Sequence, residues 1–214
     1  RFMRILDIDP AARTARLQPG VRNLAISEAA SQYGLYYAPD PSSQIACSIG
    51  GNVAENSGGM HCLKYGLTVH NILKLRAYSI EGELLEVGGD GLDSAGYDLL
   101  ALMTGSEGLL AVITEVTVKL YAVQAAMSAA VCAFDSIDGC TQTVIQIIQS
   151  GIPVARSEIV CENSIRAINN YSKTNYRVAP TLFFEFHGTE ASVIEQAEMV
   201  QEIARDNGGK DFIW

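Results

Sequence analysis

The stretch that most constrains this chain runs from Pro39 to Gly59: Pro-Asp-Pro-Ser-Ser-Gln-Ile-Ala-Cys-Ser-Ile-Gly-Gly-Asn-Val-Ala-Glu-Asn-Ser-Gly-Gly. It is too polar and glycine-rich for a core strand, and too densely punctuated for a slack linker. Pro39 and Pro41 fix their own φ and push the residues before them towards extended backbone. Gly50-Gly51 and Gly58-Gly59 allow positive φ, or a close approach of backbone to a bound group. Between these pairs, Asn52 to Asn56 has room for one or two helical turns. A Ser48-Ile-Gly-Gly segment opening that helix would point free N–H groups and a hydroxyl outward, which suits a phosphate. On these residues alone a second reading stays open: a glycine-rich surface loop with no ligand.

The rest of the chain reads as alternating strands and helices. Met3 to Asp9 and Thr14 to Gln18 are short strands, arranged as a hairpin. Val21 to Tyr33 is helical with Ile26, Ala30 and Tyr33 on one face, and Gly34 stands where a C-terminal glycine belongs. Asn71 to Ile80 is an apolar strand that turns at Glu81-Gly82 into Leu84 to Val87, followed by a Gly88 to Gly91 loop. Asp98 to Met103 is a short helix aimed at Thr104-Gly-Ser-Glu-Gly108, and Leu109 to Leu120 is a long strand. The pattern changes at Tyr121 to Ala126, which marks a domain boundary.

Beyond it, Met127 to Phe134 is a strand, and Ser136 to Ser150 a helix with Ile137, Cys140, Val144 and Ile148 on one face. Arg156 to Val160 is extended, Ser164 to Tyr171 helical, and Thr181 to His187 the clearest strand of this half. Ser192-x-x-Glu195 has the form of a capping box, near the start of a helix whose Val193, Ala197, Val200 and Ala204 share a face. Asp211 to Trp214 begins another strand. There is no G-x-G-x-x-G fingerprint and no Walker A loop.

Composition narrows the function. A formal net charge of −9 argues against a nucleic-acid partner, which favours a basic face. It leaves room for a dinucleotide, whose phosphates backbone N–H groups can hold. No apolar run is long enough for a transmembrane segment. The five cysteines form no C-x-x-C pair, which fits a reduced, cytoplasmic protein better than a disulfide scaffold or zinc site. His61, His70 and His187 are scattered, and His61 reads as a structural donor rather than a ligand.

The runs Tyr37 to Asn52, Asn56-Ser-Gly-Gly59 and His61-Cys-Leu-Lys-Tyr-Gly-Leu-Thr68 resemble the FAD-linked oxidases of the vanillyl-alcohol-oxidase type. Within them the likeness is greatest to glycolate oxidase D subunits and D-lactate dehydrogenases. Thr104-Gly-Ser-Glu-Gly-Leu-Leu-Ala-Val-Ile-Thr114 supplies a second block. The resemblance implies an α+β fold: the second part of a two-part FAD-binding domain over 1–122, then the N-terminal part of a substrate (cap) domain over 123–214. It implies FAD as cofactor, and oxidation of a small 2-hydroxy acid such as glycolate or D-lactate to the 2-oxo acid.

By the same resemblance, Pro39, Asp40, Pro41, Cys47, Ser48, Gly50, Gly51 and Asn52 line the flavin side and pyrophosphate. Asn56, Ser57, Gly58, Tyr65 and Gly66 border the ring system. Gly105, Glu107, Gly108, Val112 and Ile113 face the adenine end, largely through backbone groups. Thr104 to Gly108 also reads as a plain helix-stop turn. The family usually has Gly where this chain has Ala111, a small intrusion on adenine packing.

The arginine-containing glycine loop that wraps the pyrophosphate in this family has no match here. The family's catalytic base, substrate-anchoring histidines and metal site lie C-terminal to Trp214. No catalytic residue or metal ligand is therefore expected within the chain, which reads as a central fragment, inactive alone and prone to self-association. The implied partners are a 2-hydroxy acid and other oxidase subunits or an electron acceptor, with any membrane association peripheral. A non-catalytic FAD-fold subunit, or another FAD-dependent reaction on the same scaffold, stays open.

Overall fold

The computed structural model describes residues 2–90 and 96–214; the Gly91 end of the expected glycine loop lies outside them. The chain divides into two compact units, Arg1–Val123 and Gln124–Trp214, each mixed α+β.

In the first unit the elements are β1 (Ile5–Asp9), β2 (Thr14–Leu17), α1 (Asn23–Ala30), β3 (Leu35–Tyr36), α2 (Ile49–Glu55), α3 (Cys62–Tyr65) and β4 (Ile72–Tyr78). They continue with β5 (Leu84–Gly88), α4 (Leu99–Met103), β6 (Val112–Lys119) and β7 (Tyr121–Ala122). Five strands form one antiparallel sheet in the order β1-β2-β6-β4-β5, and β3 pairs with β7 as a separate two-residue ribbon.

The period of two along each strand sorts the faces. Leu17, Leu75, Val116 and Val118 point to one side, where Ile26 and Ala30 of α1 and Ile49 and Val53 of α2 cover them. Each such fully buried aliphatic side chain contributes roughly 1.5–3 kcal/mol. Lys74 and Arg76 point to the other side. There Arg16 and Arg76 both reach Glu115, at 3.1 and 3.6 Å, and Arg76 also meets Glu86 at 3.4 Å. These are partly exposed pairs, which stabilise a fold little.

Two expectations shift here. Tyr33 is half exposed rather than part of the α1 face, because α1 tightens into a 3-10 turn over Ser31–Tyr33 that rotates it outward. Gly34 then closes the turn at φ 67°. The strand expected from Leu109 begins at Val112: Glu107 and Gly108 have φ of 54° and 76°, so the chain is still turning, and Leu109 stands exposed.

The second unit runs β8 (Ala126–Phe134), α5 (Ile137–Gln149), β9 (Arg156–Val160), α6 (Glu162–Ser172), β10 (Thr181–Gly188), α7 (Glu190–Asp206) and β11 (Gly209–Ile213). Its antiparallel sheet has the order β11-β8-β10-β9, so the parallel partners β8 and β9 are split by β10. Ala130, Cys132, Phe134, Leu182, Phe184 and Phe186 turn inward and meet Ile147 of α5 and Val193, Ala197 and Val200 of α7.

The buried stripe of α5 is Cys140, Thr143 and Ile147, one position away from the expected face, and Ile137 and Ile148 are more than half exposed. Thr143 can occupy the centre because its hydroxyl donates to Gly139 O at 2.8 Å, which satisfies the polar atom within the helix. The capping box of α7 lies three residues earlier than expected. Thr189 is the cap, its Oγ1 accepts from Ser192 N–H at 3.2 Å, and Ser192 Oγ accepts from Thr189 N–H at 2.9 Å.

Candidate functional site

The candidate site is assembled around α2. Ser48 caps this helix, its Oγ accepting from Gly51 N–H at 3.2 Å. Ile49 N–H donates to Val21 O, and Gly50 N–H to Pro19 O, both at 2.8 Å. The amides expected to point outward for a phosphate are therefore engaged within the protein. The cause is the Pro19-Gly20 turn, which lies across the start of the helix. A Cβ on Gly50 would sit 2.5 Å from Pro19 Cβ, whereas one on Gly51 would meet only Ser48 Oγ, at 3.2 Å. Gly50 is thus required by packing, and Gly51 keeps an open backbone face.

At the other end of α2, Asn56 turns the chain with φ 49°, and its Oδ1 accepts from Val69 N–H at 3.0 Å. Ser57 N–H donates to Asn52 O at 2.9 Å, and Ser57 O accepts from Thr68 Oγ1–H at 2.6 Å. Gly105 N–H donates to Val53 O at 2.8 Å and Glu107 N–H to Ala54 O at 2.9 Å. The Thr104 to Gly108 block, which also ends α4 through Thr104 N–H to Leu100 O, thereby docks on the last carbonyls of α2. Two sequence blocks far apart in the chain meet at one helix end.

The Pro39–Pro41 segment is anchored by a buried amide relay. Asn52 Nδ2–H donates to Asn23 Oδ1 at 2.8 Å, and Asn23 Nδ2–H donates to Pro39 O at 2.9 Å. Cys47 joins the same frame, its O accepting from Asn23 N–H at 3.0 Å, and Pro41 O accepts from Gln44 N–H at 2.8 Å. Asp40 turns towards the second glycine pair. Its Oδ2 lies 2.7 Å from His61 Nδ1, and its Oδ1 accepts from His61 N–H at 3.2 Å. Gly59 packs directly on Asp40, with no room for a Cβ between them.

Beyond Gly58, whose neighbours are Cys62 Sγ and Leu67, an aromatic group forms one edge of the site. The rings of Tyr65 and Tyr121 are 5.0 Å apart, and Tyr36 stands 6.2 Å from Tyr65 and 6.3 Å from Tyr121, all within favourable aromatic range. Burial, then the Tyr65 phenol, then Tyr121 and Asp40 push the Tyr36 hydroxyl well above the usual phenol range. Burial does the same to Tyr37, with the Thr68 hydroxyl pulling back. Both stay neutral across ordinary pH. Burial also lowers the Lys64 ammonium beside Tyr65. Gly66 has φ 79°, and the His70 ring fills the space where its Cβ would stand.

The structure therefore gathers Pro39, Asp40, Pro41, Cys47, Ser48, Gly50, Gly51, Asn52, Asn56, Ser57, Gly58, Tyr65, Gly66, Gly105 and Glu107 about α2 and its flanking loops. Gly108 is open, with nothing within 4 Å of a Cβ built there. Val112 and Ile113 lie on β6 instead; Val112 is exposed and Ile113 packs on the core. Because β2 pairs only with Val116 to Lys119, the backbone from Val112 to Glu115 has no strand on that side among the described residues. Ala111 packs into the core, so its methyl points away from open surface.

Glycine faces at 51 and 108 and an unpaired strand edge suit a flat, backbone-read ligand such as FAD; the first-turn amides of α2 do not serve its phosphates. Sequence reasoning missed Asn23, Tyr36 and Tyr121, which stand in no motif, and Thr68, which closes the His61 to Thr68 run but carried no role of its own.

Comparison with known proteins gives two family matches. A profile described as "FAD binding domain" matches residues 1–88, and one described as "FAD linked oxidases, C-terminal domain" matches residues 123–214. "Glycolate oxidase subunit GlcD" of Escherichia coli (strain K12) is 53% identical over 213 residues, covering 99% of this chain and 43% of that protein. "Probable D-lactate dehydrogenase, mitochondrial" of Danio rerio is 36% identical over 218 residues, covering 100% of this chain and 44% of that protein. A solved structure of alkyldihydroxyacetonephosphate synthase superposes with a TM-score of 0.82 at 21% identity, over 98% of this chain and 41% of that one, which is a likeness of fold. The chain spans less than half the length of these relatives.

Proposed function

Because the chain belongs to the FAD-linked oxidases of the vanillyl-alcohol-oxidase type, we propose that it forms part of an FAD-dependent oxidoreductase that converts a small 2-hydroxy acid, of the glycolate or D-lactate kind, to the 2-oxo acid. The observation that carries the substrate class is the 53% identity to a glycolate oxidase subunit over 99% of the chain. Residues 1–122 serve as the second part of the FAD-binding domain, and 123–214 as the opening part of the substrate domain. Bound FAD supplies the acceptor for the electron pair that leaves the hydroxy acid.

The chain's own residues bind and orient. The open backbone of Gly51 and the loops at Pro39–Pro41 and Asn56–Gly58 face the flavin, with Tyr65 and Gly66 at its border. Gly105, Glu107, Gly108 and the unpaired edge at Val112 and Ile113 read the adenine. Since the Ile49, Gly50 and Gly51 amides are engaged elsewhere, pyrophosphate charge is met by other groups of the complete site. No residue of this chain is assigned to proton removal. Other oxidase subunits or an electron acceptor complete the cycle. No helix among the described residues is long and apolar enough to cross a membrane.

Anaerobic addition of glycolate or D-lactate to the purified full-length protein should bleach its visible flavin band. A protein that carries no flavin, or whose flavin stays oxidised with every short 2-hydroxy acid, would overturn the proposal.

A further inference from the structure

We propose that His61 is a positioning residue for the cofactor: it clamps Asp40 and so holds the Pro39–Pro41 loop against the Gly58–Cys62 loop in the geometry that grips the flavin. The inference rests on the reading that these two loops border FAD. The pair is well defined. Asp40 Oδ2 lies 2.7 Å from His61 Nδ1, its Oδ1 accepts from His61 N–H at 3.2 Å, and both side chains are about 15% exposed. A carboxylate can only accept, so the Nδ1 proton of His61 is committed to Asp40 and the tautomer is set.

Three features make the clamp a device of loop geometry rather than of folding. Asp40 stands between two prolines, so few backbone conformations present its carboxylate, and a lost partner is not easily replaced. Gly59 packs against the backbone carbonyl and Oδ1 of Asp40, so the residue that accepts from His61 also seats the glycine of the facing loop. Neither Asp40 nor His61 belongs to the apolar core of its unit. Removing the His61 side chain leaves a partly buried carboxylate with one donor fewer, and the loop moves to hydrate it.

The chemistry of the donor supplies the test. The Nδ2 of an asparagine falls close to the Nδ1 position of histidine, whereas the longer glutamine carries its amide out to the Nε2 position. In the full-length protein, His61→Ala and His61→Gln should each weaken FAD binding about tenfold or more, and His61→Asn should stay within about threefold, since one charge-assisted bond is at stake. The bound flavin's visible circular dichroism should change in the Ala and Gln variants and be restored in Asn. Without cofactor, hydrogen exchange in the 36–47 segment should quicken in His61→Ala and not in His61→Asn.

Wild-type protein that binds no FAD would sink the functional reading, while the exchange arm would still judge the clamp. Unchanged FAD affinity and exchange in His61→Ala would overturn the clamp. Loss of cooperative unfolding in both His61→Ala and His61→Gln would show a folding role, and would overturn it too.

Discussion

A methyl on Gly50 would collide with Pro19 Cβ at 2.5 Å, whereas one on Gly51 would meet only the Ser48 hydroxyl at 3.2 Å. Gly50→Ala should therefore destabilise the protein by about 1–3 kcal/mol in urea unfolding, the usual cost of overpacking. Gly51→Val should leave the midpoint nearly unchanged and lower the flavin content of full-length protein, if the ligand lies on that backbone. A yellow, fully loaded Gly51→Val protein would count against the assignment. The cysteines separate in the same way. Burial pushes the Cys132 and Cys140 thiols up to about 11, while the Ser164 hydroxyl and backbone donors lower that of exposed Cys161. Iodoacetamide near neutral pH should label Cys161 first and spare the other two. The stability gained by keeping Cys132 and Cys140 neutral is complete below pH 9 and is lost as pH rises through about 11. At this scale sequence reading singled out the motif residues as candidates. It missed the partners, because Asp40 is 21 residues away and Asn23 sits in no motif.

Of the elements, α2 connects most of the site, and its ends depend on residues outside it. Asn56 adopts φ 49° and accepts from Val69 N–H, so Asn56→Ala loses both a tolerated left-handed turn and an acceptor. A loss of about 2 kcal/mol is expected in urea unfolding, and about half of that for Asn56→Gly, which keeps the turn. Equal losses for the two would show that the Val69 bond alone matters. The strands and helices were mostly legible because apolar periodicity is a local property. Helix registers and starts were less so. The Thr143 hydroxyl is satisfied inside α5, which lets a polar residue take the central buried place that the pattern had assigned to Val144. The expectation of free amides at Ser48 to Gly51 failed for a related reason: the acceptors of the Ile49 and Gly50 amides, Val21 O and Pro19 O, belong to a distant turn.

For the whole molecule, each unit has its own sheet and its own core, and among the described residues the core of the second lies between Ala126 and Phe212. Residues 124–214 expressed alone should therefore unfold cooperatively in urea; a gradual, probe-dependent transition would show that this core is incomplete. The first unit is wired differently. Thr14 pairs with Lys119 and Leu35 with Ala122, so its earliest strands have their partners at its far end. On a ribosome adding about 5–20 residues per second, β2 would wait some 5–20 s for β6 to emerge. During that interval the apolar side chains of Leu17 and Ile26 have no sheet to cover them. The order of synthesis thus leaves the apolar faces of this unit uncovered until both β6 and β7 have emerged.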